Sequence, residues 1–151
     1  MANENIIKGL QAIVTDLAQQ ADGHAIQSKI FGSLGFSKLA DKYAEHATEE
    51  RGYVDKCIDR ILDLGGEVKN EDKKATPTYT DPVEWIKYDL KVSVDGLASL
   101  KELVECSRSD YNTYDILSDY YKDEEEDMYW GQQQLDLIAK IGVQNWLTKQ
   151  L

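Results

Sequence analysis

The two prolines limit how this chain can fold more than any other feature of its sequence. Pro77 and Pro82 lie close together near the middle of the chain, and Pro77 lies in a polar stretch at residues 70–78. Proline breaks the interior of a helix because it lacks the backbone N–H and clashes with the preceding turn. Since both prolines belong to one connection, the chain on either side of it can form long helices.

Apolar residues on both sides of this connection recur at intervals of three and four, which is the pattern of a helix with one buried face. Glycines at residues 32, 35, 65, 66 and 142 mark the places where the pattern stops. The inward-facing positions include Ile26 in the first helix and Val94 in the third. We predict helices over about residues 4–31, 37–64, 82–108, 111–140 and 143–150.

Two of these helices begin at recognisable capping residues. Ser37 is expected to cap the second helix, since its hydroxyl can accept a hydrogen bond from a free backbone N–H. Asp81 is expected to cap the third helix, with Pro82 at the first helical position, where no N–H is needed.

The lengths of the connections select the topology of the bundle. Two helical hairpins are joined by one long crossover at residues 65–80. One long crossover is typical of ferritin-like bundles, whereas growth-hormone bundles have two and up-down-up-down bundles have only short loops. We therefore predict an all-α, ferritin-like antiparallel four-helix bundle, a single domain over residues 1–151, with a short C-terminal fifth helix.

Composition excludes several kinds of function. Seventeen Lys and Arg against 28 Asp and Glu give a net charge of −11, which repels phosphate backbones and attracts cations. Cys57 and Cys106 are too few for a disulfide framework, and we expect both to be buried as reduced thiols. The sequence has neither a membrane-length apolar run nor a secretory leader pattern, so we expect a cytoplasmic protein without nucleic-acid or membrane partners.

The predicted bundle directs attention to paired carboxylates. Ferritin-like di-iron sites use inward glutamates on all four helices, with a Glu-x-x-His pair on two of them. The corresponding pairs in this chain are Glu50 with Tyr53 in the second helix and Glu124 with Asp127 in the fourth. Each pair keeps the glutamate and lacks the histidine.

Four segments carry a more specific resemblance. Residues 58–66 and 136–147 resemble the end of the second helix and the C-terminal signature of bacterioferritins. Residues 35–39, and Asp89-Leu90 followed by residues 94–96, resemble the family in the other two helices. The chain is thus identified as a divergent member of the bacterioferritin family, and the resemblance covers almost its whole length.

This resemblance also implies that most of the family's metal ligands are replaced. The glutamates expected on the first and third helices fall on Leu17 and Ser93, neither of which replaces a carboxylate. The methionine that ligates haem between two subunits falls on Arg51, so no haem is expected. A tyrosine common on the first helix of the family is His24 in this chain.

The candidate metal ligands are Glu50, Glu124, Asp127, His24 and Tyr53. If they converge, one nitrogen and several carboxylate oxygens could hold a single divalent ion, but too few carboxylates remain for a bridged pair. The alternative is a residual polar core without metal, in which Tyr53 donates to a carboxylate. His46 is expected on an exposed face beside Glu45 and Glu49.

Three functions remain open from the sequence. The preferred hypothesis is an iron-storage or iron-homeostasis subunit of a dimer-based shell, of 24 subunits rather than 12, with a mostly lost ferroxidase centre. Acidic residues such as Glu45 and Glu49 would attract iron, and the subunit could co-assemble with a catalytically complete bacterioferritin. The alternatives are a structural or interaction protein without iron activity, and a ferroxidase with a rearranged mononuclear site.

Overall fold

Five helices account for most of the described part of the chain, residues 2–151 of a computed structural model, and no strand occurs within that range. They are α1 (Ala2–Ser33), α2 (Ser37–Asp63), α3 (Pro82–Cys106), α4 (Tyr111–Ile141) and α5 (Val143–Thr148). α1 packs along α2 and α3 along α4, while α2 also contacts α4 and α1 contacts α3. The predicted all-α four-helix bundle with a short fifth helix is confirmed.

Two glutamines of α1 hold the long crossover against the bundle. The Gln27 side chain is fully buried, donates to the Tyr79 carbonyl at 2.6 Å and accepts from the Tyr79 N–H at 3.0 Å. Gln11 pairs in the same way with the backbone of Lys69, at 3.0 and 2.9 Å. Each glutamine amide satisfies one backbone N–H and one backbone C=O of the crossover. The crossover can therefore lie extended along α1 although no β-strand pairs with it at these residues.

The apolar core is divided into two clusters by a polar layer. One cluster includes Leu10, Ile61 and Leu117, and the other includes Tyr43 and Trp146. On each of the four long helices, the segment between these clusters carries buried polar or ionisable side chains. The middle of the bundle is therefore where chemistry can occur.

The helix ends partly follow the predictions. Asp81 caps α3 by accepting from the Val83 and Glu84 N–H groups, as predicted. The prediction for Ser37 is wrong, because Ser37 is the first helical residue and Phe36 precedes the helix without a side-chain cap. The turn between α1 and α2 instead depends on Gly35, whose φ of 90° suits a residue without a Cβ.

Three side chains expected to be buried are exposed. Ile26 and Val94 are 52% and 45% exposed, because each directly neighbours the buried stripe of its helix and points about 100° away from it. Cys106 is the last residue of α3 and is also exposed, whereas Cys57 is buried as expected. Within residues 2–151, none of the helices combines the length and apolarity that a membrane span requires.

A charged cluster fixes the start of α4 against α2. Asp110 caps α4 and accepts from the Thr113 hydroxyl at 2.7 Å, while Arg60 of α2 donates to Asp110 at 2.7 Å. Arg60 also donates to the Thr113 hydroxyl at 3.0 Å. These partly buried charge-assisted bonds connect two helices that share few other contacts with each other.

We expect D110A to destabilise the fold more than D81A, although both remove a helix cap. D81A removes exposed capping bonds and should cost about 1 kcal/mol. D110A also removes the partly buried carboxylate that pairs with Arg60, which leaves this guanidinium only the Thr113 hydroxyl and the exposed Asp63, and should cost about 2–4 kcal/mol. Denaturant unfolding at fixed protein concentration measures both values. A D81A cost equal to or above that of D110A would show that the charged cluster adds nothing.

Candidate functional site

The centre of the polar layer is a histidine held between two carboxylates. His24 of α1 places Nδ1 2.5 Å from Glu50 Oε1 of α2 and Nε2 2.8 Å from Asp89 Oδ1 of α3. Gln20 donates to the second oxygen of Glu50 at 2.8 Å. Both oxygens of Glu50 and both ring nitrogens of His24 are thus engaged by the protein itself.

The charge of His24 follows from these partners. Burial alone would lower the pKa of His24, but the Asp89 and Glu50 carboxylates outweigh burial and raise this pKa well above its ordinary value. The imidazole is therefore a cation at neutral pH. It supplies positive charge at the point where the helices bring their carboxylates together.

A second histidine lies beside the first. The expectation that His46 is exposed is wrong: it is 3% exposed and its ring centroid is 5.6 Å from that of His24. His46 Nε2 lies 3.4 Å from Asp127 Oδ1, yet it has no hydrogen-bond partner among the described residues. Burial, followed by the charge of His24, lowers the pKa of His46 to about 4, so this imidazole is neutral.

Two acidic side chains of α4 complete the layer. Burial raises the pKa of Glu124 to about 7, with a further contribution from Glu50, while a hydrogen bond from Ser93 acts in the opposite direction. Burial also raises the pKa of Asp127 to about 8, and the Glu124 and Asp123 carboxylates add to this effect. At neutral pH these two carboxyl groups are therefore partly protonated in the ion-free protein.

Tyr53 lies at the edge of this arrangement. Its ring packs against Tyr120 with a centroid distance of 5.2 Å, and the Lys56 ammonium lies 5.2 Å from the ring centre. Burial, followed by the charge of Asp123, raises the pKa of Tyr53 to about 12. The phenol therefore stays protonated, the form in which it is a poor metal ligand.

The positions that the family resemblance assigns to other ligands have different surroundings. Leu17 is 2% exposed and belongs to the apolar cluster around Leu10. Ser93 is buried next to Glu124. Arg51 forms an ion pair with Asp22 on the surface.

Sequence reasoning missed two residues of the site, Asp89 and His46. Asp89 precedes Ser93 by four positions, and His46 precedes Glu50 by four positions, so each shares a helix face with a position already singled out. This spacing was a usable signal for both. The neighbouring Glu45 and Glu49 suggested an exposed face for His46, but adjacent residues on a helix point about 100° apart.

Comparison with known proteins agrees with this architecture. A family model described as a ferritin-like domain matches residues 7–141. The bacterial ferritin of Pseudomonas aeruginosa is 34% identical over 97% of this chain and 96% of the relative. The bacterial ferritin of Neisseria meningitidis serogroup B is 30% identical over 99% and 98%, and the bacterioferritin of Brucella melitensis biotype 1 is 31% identical over 78% and 74%. The chain therefore belongs to the ferritin-like family.

The raised pKa of Glu124 gives a prediction for stability in the metal-free protein. Between its ordinary value of 4.5 and about 7, the folded state binds more protons at Glu124 than the unfolded state does, so the contribution of Glu124 to stability falls as pH rises. E124Q cannot ionise at this position. The melting temperature of E124Q minus that of the wild type should therefore increase between pH 4.5 and 7 and stay constant above pH 7.

The matched control is E126Q, which changes an exposed glutamate of the same helix. Thermal melts across this pH range, in the presence of a chelator, compare the three proteins. A difference between E124Q and wild type that stays constant with pH would show that Glu124 does not titrate in this window.

Proposed function

We propose that this chain is a subunit of an iron-storing protein shell and that its bundle does not assemble the di-iron oxidation centre. The storage function is supported by near full-length similarity to bacterial ferritins. The observation that carries the second part is the pairing of Glu50 with His24 and Gln20. A carboxylate whose two oxygens are both hydrogen-bonded to fixed neighbours is a poor bridge between two ions.

The remaining positions also do not fit a di-iron pair. Such a pair needs about four carboxylates and two histidines in the ferritin-like arrangement. Leu17 offers no ligand atom, Ser93 offers only a hydroxyl, and Tyr53 holds its proton. As long as His24 keeps both ring protons, its positive charge also repels a pair of ions placed beside Glu50. Haem does not fit either, because a guanidinium at Arg51 cannot replace a thioether ligand.

Iron, as the cargo of the shell, would meet a different set of groups. Glu45 is exposed and Glu49 half-buried on α2, and Asp123 of α4 is close enough to hydrogen-bond to Glu49. Burial, followed by the neighbouring charges of Asp123 and Glu45, raises the pKa of Glu49. A bound cation reduces the repulsion among these neighbouring carboxylates. Glu45, Glu49 and Asp123 are therefore proposed to attract ferrous iron and to nucleate mineral on the inner surface.

The proposed function of this surface depends on assembly, because mineral is retained only inside a closed shell. The exposed apolar side chains Ile26 and Val94 are proposed as subunit contacts in dimers that build a cytoplasmic shell of 24 subunits rather than 12. α5 packs its fully buried Trp146 on the end of the bundle. A complete bacterioferritin subunit in the same shell would supply the oxidation step that this chain lacks.

Stopped-flow oxidation of ferrous iron tests the loss of the oxidation centre. Shells of this chain alone should lack the fast phase that saturates at two irons per subunit, because two ions cannot bind as a pair. E124A should leave the slow rate unchanged, and mixed shells should oxidise iron in proportion to their complete subunits. A fast, saturable phase in the pure shell that E124A abolishes would contradict the proposal.

Retention of mineral tests the storage function separately. After slow aerobic loading, iron should elute with the shell on gel filtration, in pure or in mixed assemblies. If neither assembly retains more iron than a protein-free control, the chain is a structural or interaction protein that keeps the fold without storing iron.

A further inference from the structure

The two buried histidines and Asp89 form a cluster that borders the family's ligand positions at Glu50 and Asp127 without including any of them. One ring nitrogen of His24, one of His46 and a carboxylate oxygen of Asp89 all lie within 4.8 Å of one another. Both histidines are 3% exposed, and Asp89 is partly buried. Among the three residues, only Asp89 belongs to a segment that resembles bacterioferritins, and none of them falls on a di-iron ligand position.

The unpartnered nitrogen of His46 is the main indication of a ligand. A buried imidazole nitrogen without a hydrogen bond loses its hydration and gains nothing in return. His46 Nε2 is such an atom, and Asp127 Oδ1 lies 3.4 Å away without forming a hydrogen bond to it. A cation bound next to this nitrogen would satisfy it.

The surroundings of the rings hold them in position. His24 packs edge-on against Trp85 with a centroid distance of 5.8 Å, and His46 packs edge-on against Tyr43 at 5.3 Å. The Trp130 ring also packs near His46, with a centroid distance of 6.3 Å between the two rings. An aromatic frame of this kind limits ring rotation, so the two imidazoles are arranged before any ion arrives.

Glu50 has a supporting position in this arrangement. It lies 2.5 Å from His24 Nδ1, while His24 Nε2 faces Asp89 Oδ1 at 2.8 Å. A carboxylate that holds one ring nitrogen of a histidine while the other binds metal is the usual outer-shell partner in metal sites. Ligand atoms around a tetrahedral ion lie about 3.3 Å apart, so His24 Nε2 and Asp89 Oδ1 need to separate by about 0.5 Å.

We propose that His24, His46 and Asp89 bind a single divalent transition-metal ion, as a two-histidine, one-carboxylate site with an open coordination position. On binding, the Nε2 proton of His24 is released to solvent and the bond to the metal takes its place, while Nδ1–H continues to donate to Glu50. Two imidazoles favour ions such as Zn²⁺ and Fe²⁺ over Mg²⁺ and Ca²⁺, which prefer all-oxygen sites. Asp127, beside His46, supplies a second carboxylate to offset the charge of the ion. The proposed site does not depend on the iron-storage function, because its ion binds inside each bundle and the mineral lies outside the bundles, within the shell.

A pocket gives this site a path to solvent. It has a volume of about 220 Å³, lies between α1, α3 and the crossover, and includes His24 and Asp89 in its lining. Asp16, Lys73 and Lys74 line the same pocket, so the charge around it is mixed. Water that enters through the pocket can fill the open coordination position.

Zinc binding by the intact, chelator-stripped shell tests this assignment. After equilibration with Zn²⁺ and desalting, elemental analysis should find one tightly bound zinc per subunit above the background of the acidic surface. H46N and D89N should each weaken this binding at least about 100-fold, and E50Q about 10-fold to 100-fold as an outer-shell change. E126Q is the matched surface control and should bind as the wild type does.

E124Q and the position of the ion distinguish this site from the family's site. Diffraction from wild-type crystals at the zinc absorption edge should place the ion next to His46 and Asp89, a result that needs no variant to fold. E124Q should retain the zinc, because Glu124 is not a ligand here. Zinc located between Glu50 and Glu124, lost in E124Q but kept in H46N, would overturn the proposal, as would a wild type that binds no more zinc than H46N.

Discussion

His24, held between Glu50 and Asp89, is the interaction on which the interior of this bundle depends. It connects α1 to α2 on one side and to α3 on the other, at the level where the apolar core is interrupted. Carboxylates buried in a helical bundle need a compensating charge, which in ferritin-like proteins with a di-iron site comes from two metal ions. In the ion-free state of this chain, a protonated imidazole supplies that charge instead.

This compensation explains the composition of the rest of the layer. One cation can neutralise only part of the acidic groups: His24 pairs with Glu50 and Asp89, whereas burial raises the pKa values of Glu124 and Asp127. Leu17 and Ser93 are buried and carry no charge, which keeps the number of buried charges low. This layer suits the proposed role, in which the subunit contributes walls and an acidic inner surface to a shell and binds one ion rather than two.

The fold could be predicted from the sequence because its determinants are local. Three signals predicted it: both prolines lie in one connection, apolar residues recur at helical intervals, and Asp81 caps α3. Each of them can be read from residues that are a few positions apart. The site was only partly predictable, since which side chains meet depends on the rotation of each helix in the bundle. That rotation turns His46 inward and leaves Ile26 and Val94 exposed. Adjacent residues of a helix point about 100° apart, so a shift of one position changes whether a side chain is buried. Asp89 was visible as part of a family segment, but its role appears only when α3 lies next to His24.

Whether this bundle holds a pair of iron ions can be seen in crystals soaked in ferrous iron without oxygen, with diffraction measured at the iron absorption edge. We expect at most one iron position inside each bundle, and none between Glu50 and Glu124. Two iron positions about 3.5–4 Å apart, bridged by Glu50 or Glu124, would contradict this expectation.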